Sequence, residues 1–259
     1  MNIAVITGAS SGIGKEFALQ LDDKYNFDEM WLIARRTDKL NELANELKNK
    51  ARIISLDLTN DTAFEEYKNL LEAEKPTVSM LVNASGYGKF GNIKDIPLGE
   101  QMGMIDLNVK ALVKMTDISK DYMQNGSKII QIGSASTYNP LPHFAIYSST
   151  KVFVKYYSRA ISRELKPYGI TVTCVCPGWV KTDFFDRANI STNPENTLAK
   201  PAVLAKDVVK KAIKDTEKGK DVSYYGLYNN FHHILAKIMP AAFMMKLWQG
   251  MVKKSESKK

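Results

Sequence analysis

The chain has 259 residues, of which 44% are hydrophobic and 25% are charged. This composition is typical of a globular protein with a substantial core, so we expect a single domain. The formal net charge is +8, but the lysines are scattered along the chain. No recognition helix or basic and aromatic ladder is evident, so nucleic acid is not an expected partner.

We expect no secretory leader, because a strand-like run begins at residue 2. Every apolar stretch is also shorter than the roughly 20 residues that span a bilayer. Cys174 and Cys176 are predicted to face the same way on one strand, at a separation poorly suited to a disulfide. Two free thiols favour a cytoplasmic location. His143 and the pair His232-His233 have no second ligand at a useful spacing, so no metal site is expected.

The first predicted element is a strand over residues 2–6, followed by the turn Thr7-Gly8-Ala9-Ser10-Ser11-Gly12-Ile13-Gly14 and a helix from Lys15. A strand, a glycine turn and a helix aim free backbone N–H groups and the positive end of the helix dipole beyond the sheet edge, where a phosphate binds. Gly8 permits the tight turn, Gly12 lets the backbone approach a pyrophosphate, and Gly14 lets helix and strand pack closely. The turn therefore predicts a dinucleotide site.

Further strands and helices alternate along the chain. Apolar runs predict strands over residues 30–34, 52–56, 78–82, 128–132, 170–175 and 221–225. Helical patterns include residues 38–50, 97–123, 145–168 and 201–217. Residues 177–201 lack periodicity and are a candidate substrate lid. This order predicts an α/β protein with a doubly wound parallel sheet, the Rossmann fold, whose ligands bind at the carboxyl ends of the strands.

A helical extension follows this domain, so we divide the chain into residues 1–225 and 226–259. Two apolar stripes mark the extension: Tyr228, Phe231, Leu235 and Ile238, and then Met244, Leu247, Trp248 and Met251. Three roles stay open for them. They cover the substrate crevice, form a subunit interface, or lie on a membrane surface with lysines near the headgroups.

Tyr147 and Lys151 are the strongest candidates for chemistry. A spacing of four places both on one helical face. A free tyrosine has a pKa of about 10, and a neighbouring lysine charge is expected to lower that pKa toward the range of a general acid–base. Ser134 follows strand 128–132, where its hydroxyl would enter the ligand crevice. Asn108 lies inside an apolar helix, where its amide needs partners.

These residues together resemble the short-chain dehydrogenase/reductase family. The glycine turn matches the cofactor loop of that family, and Asn108, Ser134, Tyr147 and Lys151 match its catalytic set in order and approximate spacing. Pro177-Gly178 with Thr182 matches its segment after the sixth strand. One departure is Asn83-Ala84-Ser85-Gly86, where the family usually has N-N-A-G. One side-chain hydrogen-bonding group is missing there, but Gly86 still permits close approach to the cofactor.

The resemblance implies a mechanism for carbonyl reduction. Tyr147 would give a proton to the substrate oxygen, while the nicotinamide gives hydride to the carbonyl carbon. Ser134 would hold the substrate oxygen in place. Lys151 would lower the tyrosine pKa and bind ribose hydroxyls, and Asn108 would hold a water that links Lys151 to solvent. Asp57 would bind the adenine edge, and Thr182 the nicotinamide amide or phosphates. The other implied cofactor contacts are Ser10, Ser11, Ile13, Leu58, Asn83, Gly86, Pro177, Gly178 and Val180.

The end of the second strand favours NADP(H) over NAD(H). NAD binders place an acid there for the ribose 2′-OH, whereas Arg35 and Arg36 follow Ala34 in this chain. Which arginine meets the 2′-phosphate stays open. The aromatic residues near Ser134 and after Gly178 favour a hydrophobic carbonyl or alcohol, and the family commonly forms dimers, so a homodimer is expected. The alternatives are an NAD-dependent alcohol dehydrogenase and a catalytically silent dinucleotide sensor.

Overall fold

The computed structural model of the chain describes residues 1–188 and 202–256. Its main strands are β1 (Asn2–Thr7), β2 (Glu29–Ala34), β3 (Ala51–Ser55), β4 (Thr77–Asn83), β5 (Lys128–Ile132), β6 (Thr171–Cys176) and β9 (Val222–Tyr224). They form one parallel sheet in the order β3-β2-β1-β4-β5-β6-β9. The order reverses beside β1, at the switch point where ligands of such sheets bind.

Helices cover both faces of this sheet. They are α1 (Gly12–Lys24), α2 (Thr37–Ala44), α3 (Thr62–Glu74), α4 (Leu98–Ile105), α5 (Ala111–Lys120), α6 (Ala145–Glu164), α7 (Phe184–Ala188), α8 (Ala205–Glu217), α9 (Leu227–Ile238) and α10 (Ala241–Glu256). One core cluster joins α1, α2 and α8 to the sheet, and a second joins α3, α5 and α6 to the opposite face. The predicted doubly wound fold is confirmed.

Strand β1 shows why both layers are needed. Ala4 and Ile6 belong to one core cluster, whereas Ile3 and Val5 belong to the other, and all four side chains are fully buried. Successive side chains of a strand point to opposite faces, so an unbroken apolar run needs helices on both sides.

Predicted helices differ from the observed ones in three places. The helix predicted over residues 201–217 begins only at Ala205, because Val203–Leu204 pairs as a strand with Val180–Lys181. The helix predicted over residues 38–50 ends at Ala44, because the Asp22 carboxylate accepts hydrogen bonds from the backbone N–H groups of Lys48 and Asn49 and holds them outside a helix. The helix predicted over residues 97–123 is divided by a π-helical turn, Asp106–Lys110, which contains Asn108. Such turns often occur at functional sites.

Three further features complete the comparison. A two-stranded sheet of β7 (Val180–Lys181) and β8 (Val203–Leu204) was not predicted, because strands of two residues show no periodicity. Cys174 and Cys176 are free, as expected, with their Sγ atoms 3.7 Å apart. Among the residues described, no helix combines the length and apolar character needed to cross a membrane.

Part of the predicted lid and of the first tail stripe lies outside the described residues. This applies to residues 189–201 and to the side chains of Tyr228 and Phe231. The domain division at residue 225, the dimer and the cytoplasmic location stay predictions.

Candidate active site

A cavity of about 1050 Å³ opens at the carboxyl ends of the strands around the switch point. Ser134, Tyr147 and Lys151 line it. The predicted cofactor contacts on its wall are Gly8, Ser10, Ser11, Gly12, Ile13, Gly14, Arg35, Arg36, Asp57, Leu58, Gly86, Pro177, Gly178, Val180 and Thr182. Residues spread over 175 positions of sequence (from 8 to 182) thus share one crevice.

Asn83 and Asn108 do not line this crevice. The Asn83 side chain is buried and donates from Nδ2 to the Thr116 hydroxyl, 3.1 Å away. Its role as a cofactor contact stays a prediction, and the structure shows its amide paired with Thr116. Asn108 acts from behind the crevice wall, as described below.

The glycine turn leaves no room for side chains. Gly8 and Gly12 have φ angles of +67° and +56°, which side chains disfavour. A Cβ on Gly14 would stand 2.3 Å from the Gly8 carbonyl oxygen. Ser11, the residue before α1, makes no side-chain cap, so the first turn of the helix faces the crevice with its backbone N–H groups. This cradle fits the diphosphate of a dinucleotide.

Thr182 lies directly against this turn. A Cβ on Gly12 would stand 3.2 Å from the Thr182 Cγ2 atom. The segment after β6 thus reaches across the crevice to the turn after β1. Two segments that bind one cofactor must come this close together.

Two arginines stand at the end of β2. Arg36 donates from Nε and Nη2 to the Ser10 hydroxyl at 3.3 and 3.2 Å, which holds its guanidinium beside the glycine turn. Arg35 lies 3.5 Å from the Asp57 carboxylate. Burial opposes ionisation of Asp57, but hydrogen bonds from Thr59 and the Arg35 charge outweigh it and lower the Asp57 pKa. This corner of the crevice is therefore able to accept an added anion.

The candidate proton-transfer groups, Tyr147 and Lys151, are both buried. Burial raises the pKa of Tyr147 to about 12, although its interaction with Ser134 opposes the rise. Burial lowers the pKa of Lys151 to about 8. The Lys151 Nζ atom lies 5.7 Å from the centre of the Tyr147 ring and donates to the Ile132 carbonyl oxygen at 2.8 Å. The Tyr147 pKa is thus raised overall, whereas the sequence predicted a lowered value, because desolvation of the phenol dominates.

Ser134 is oriented by its own turn. Its Oγ accepts a hydrogen bond from the backbone N–H of Ser136 at 3.1 Å, at the start of a short 3₁₀ turn. The hydroxyl proton is left to point elsewhere, toward Tyr147 or a ligand oxygen.

Asn108 ties the loop after β4 to α6. Its Oδ1 accepts from the Tyr87 N–H at 3.0 Å, and its Nδ2 donates to the Tyr87 carbonyl at 2.9 Å and to the Thr150 hydroxyl at 3.0 Å. A Cβ on Gly86 would stand 2.8 Å from Asn108 Oδ1 and 3.4 Å from Lys151 Nζ. Gly86 therefore permits this close approach, while a water relay through Asn108 stays a prediction.

Aromatic and apolar side chains form the end of the crevice beside Tyr147. Phe144 stacks on the Tyr147 ring with centroids 4.4 Å apart, and Phe184 lies 5.4 Å away. Tyr87 lines the same end, with the Arg187 guanidinium 4.0 Å from its ring centre. Sequence reasoning missed Tyr87, because the loop of residues 84–97 has no periodicity or motif beyond Gly86.

The helix α10 closes this end. The Trp248 indole donates to the Pro142 carbonyl oxygen at 2.7 Å, and the ring packs in a cluster with Phe90, Leu141 and Trp179. Met244 and Trp248 line the crevice. Three roles were considered for the tail, and α10 has the first of them, because it covers the crevice.

The profile of the family described as short chain dehydrogenase matches residues 2–193. The chain belongs to this family of oxidoreductases, as the motifs suggested. A very-long-chain 3-oxoacyl-CoA reductase from Mus musculus is 32% identical over 261 residues, which cover 96% of this chain and 79% of the mouse protein.

Two solved structures show the same fold. A serine dehydrogenase in its closed form, complexed with NADP⁺, is 26% identical with a TM-score of 0.76 and covers 86% of this chain and 94% of its own. A short-chain dehydrogenase from Sphingobium yanoikuyae in complex with NADPH has a TM-score of 0.77 at 24% identity and covers 93% and 98% of the two chains.

Proposed function

We propose that this protein is an NADPH-dependent oxidoreductase that interconverts a carbonyl and a secondary alcohol on a hydrophobic substrate, with Tyr147 as the general acid–base. The observation that carries the proposal is the single crevice that joins the glycine turn to Ser134, Tyr147 and Lys151. A dinucleotide sensor without catalysis needs the glycine turn but not Ser134, Tyr147 and Lys151.

The choice of NADPH follows from charge. Arg36, beside Ser10, and Arg35, beside Asp57, would hold the 2′-phosphate, and Arg36 is the better placed because Ser10 belongs to the phosphate-binding turn itself. The neighbours with bound NADP⁺ and NADPH support this choice. The bound nicotinamide supplies the hydride.

The chain's own groups supply the proton and orient the carbonyl. With a pKa of about 12, Tyr147 is protonated at neutral pH and is able to donate to the substrate oxygen. Ser134, whose Oγ is held by the Ser136 N–H, donates a hydrogen bond to the same oxygen and keeps its proton. Lys151, largely protonated at pH 7 with its pKa of about 8, stabilises the phenolate that forms.

For the substrate, we propose a long-chain 3-oxoacyl thioester. The relative described as a very-long-chain 3-oxoacyl-CoA reductase covers nearly the whole chain. The substrate end of the crevice supports this choice, because Phe144, Phe184, Met244 and Trp248 offer an apolar wall for an acyl chain.

The test is NADPH oxidation with long-chain and short-chain 3-oxoacyl-CoA, followed by absorbance, together with fluorescence titration of NADPH and NADH. We expect tighter NADPH binding and a higher kcat/KM for the long chain. Tyr147→Phe should lower kcat by about 10² to 10⁴-fold and leave NADPH affinity nearly unchanged, because general acid–base catalysis contributes about that much.

Tyr156→Phe is the matched control, since Tyr156 is exposed on the same helix, α6. Turnover retained in Tyr147→Phe would exclude the proposed proton donor. Equal affinity for the two cofactors would exclude the role of the arginines, and NADPH binding without turnover of any carbonyl would favour the sensor.

A further inference from the structure

Helix α10 carries two parallel apolar stripes, and its packing uses only one. Met244, Trp248 and Val252 are spaced four residues apart and are buried. Phe243, Leu247 and Met251 each precede one of them, so they lie about 100° around the helix. They remain 44%, 46% and 37% exposed. Packing against the body of the protein buries the first stripe and leaves the second exposed over more than a third of its side-chain surface.

The preceding helix also exposes large apolar side chains. Ile234 and Ile238 lie one turn apart on α9 and are 56% and 73% exposed. We call Ile234, Ile238, Phe243, Leu247 and Met251 the tail surface. Large exposed apolar side chains concentrated on consecutive helices are typical of interaction sites.

The residues around the tail surface carry an excess of positive charge. Residues 226–256 contain Lys237, Lys246, Lys253 and Lys254 but a single acid, Glu256. Lysines beside an apolar stripe suit an anionic lipid surface, where their stems stay in apolar contact and their ammonium groups reach the headgroups. Pairing with a second copy of the same surface would bring like charges together.

Helix α4 also exposes apolar side chains, but the charges around them differ from those around the tail surface. Leu98 and Met102 are also exposed. Their neighbours in sequence include Asp95, Glu100 and Asp106, which an anionic lipid surface would repel. Apolar exposure is thus shared by the two places, but only the tail surface combines it with an excess of positive charge.

The tail surface also borders the crevice. Leu247 and Met251 are exposed and yet belong to the lining of the crevice, so they form part of its rim. We propose that α10 docks on an anionic lipid surface through the tail surface, which turns this rim toward the lipid. An apolar substrate dissolved in the lipid then has a short path to Tyr147. The docking itself does not depend on the reaction proposed above.

The test is co-sedimentation of the full chain with vesicles of phosphatidylcholine alone or with added phosphatidylglycerol. The protein should sediment only with the anionic vesicles and should be released by salt. Ile238→Ser/Phe243→Ser should abolish sedimentation, and neither residue lines the crevice. Leu98→Ser/Met102→Ser is the matched control and should sediment like the wild type.

Charge is tested separately with Lys246→Gln/Lys253→Gln. Each lysine near an anionic surface contributes about fivefold to binding, so the double variant should bind about 25-fold more weakly. This variant leaves the apolar residues intact, and thermal unfolding checks that each variant folds. Absence of sedimentation with anionic vesicles, or equal sedimentation of the tail and α4 variants, would overturn the proposal. Loss of a dimer in the tail variant, measured by light scattering without any vesicle binding, would also overturn it in favour of a second copy.

Discussion

The glycine turn after β1 and the helix α10 border the same crevice, but they are built on opposite principles. At the turn, backbone meets backbone, and a Cβ on Gly14 would stand 2.3 Å from the Gly8 carbonyl oxygen. On α10, side chains make the contacts, and a Cβ on Gly250 would meet nothing within 4 Å. The glycine turn keeps its geometry because it has no side chains, so it tolerates almost no substitution. Helix α10 is held by the burial of apolar side chains, and it has room for an added methyl group at Gly250.

The largest expected effect comes from the same substitution made in both regions. Gly14→Ala should lower the free energy of unfolding by about 3 kcal/mol or more, because the new methyl group meets backbone that cannot rotate away. Gly250→Ala should raise it by up to about 1 kcal/mol, because alanine has the better helix propensity and the site is open. Urea unfolding of both variants measures the difference. Similar effects of the two substitutions would break the comparison.

A second prediction concerns the cost of the buried active-site charge. Lys151 has a pKa of about 8 in the fold against its usual 10.5, so at pH 7 a charge is held where burial disfavours it. This shift corresponds to about 3 kcal/mol, and the lost hydrogen bond to the Ile132 carbonyl offsets about 1 kcal/mol of it. Lys151→Met should therefore raise the free energy of unfolding at pH 7 by about 2 kcal/mol while abolishing turnover.

The sign of its pH dependence follows from the same shift. Between pH 8 and 10.5 the unfolded wild type binds more protons than the folded protein, so wild-type stability rises with pH in this window. The advantage of Lys151→Met should be complete below pH 8 and disappear toward pH 10.5. Urea unfolding at pH 7 and pH 10 without cofactor checks this, and a variant less stable than wild type at pH 7 would contradict it.

The smallest effect is expected on the tail. Trp248→Phe removes the N–H donor to the Pro142 carbonyl and keeps most of the ring packing, so α10 should dock about 1 kcal/mol more weakly. Since this helix covers the substrate end, KM for a long-chain substrate should rise about fivefold with kcat unchanged. Gln249→Ala, an exposed neighbour on the same helix, is the control. A fall in kcat at constant KM would place Trp248 in the chemistry instead of the cover.

Prediction from sequence succeeded where a residue's role depends on its own short segment. The spacing of Gly8, Gly12 and Gly14 is local, and so is the spacing of four between Tyr147 and Lys151. Alternating apolar runs and helical patterns likewise gave the fold class, because the periods of strands and helices are properties of the backbone.

Prediction from sequence failed where a residue distant in the chain determines the local structure or the pKa. The helix after Thr37 stops at Ala44 because Asp22, on another helix, binds the following backbone. The long helix before Met123 is divided at Asn108, whose amide pairs with the Tyr87 backbone. The pKa of Tyr147 moves opposite to expectation, because burial, which only the packed structure determines, raises it.

The sequence by itself therefore determined the cofactor turn, the order of strands and helices, and the set of residues proposed to carry the chemistry. Only the tertiary structure decided that α10 covers the crevice, buries one apolar stripe and leaves the other exposed at the crevice rim. The physical reason is that helical periodicity shows which residues share a face, whereas the partner of each face depends on how distant segments fill space around it.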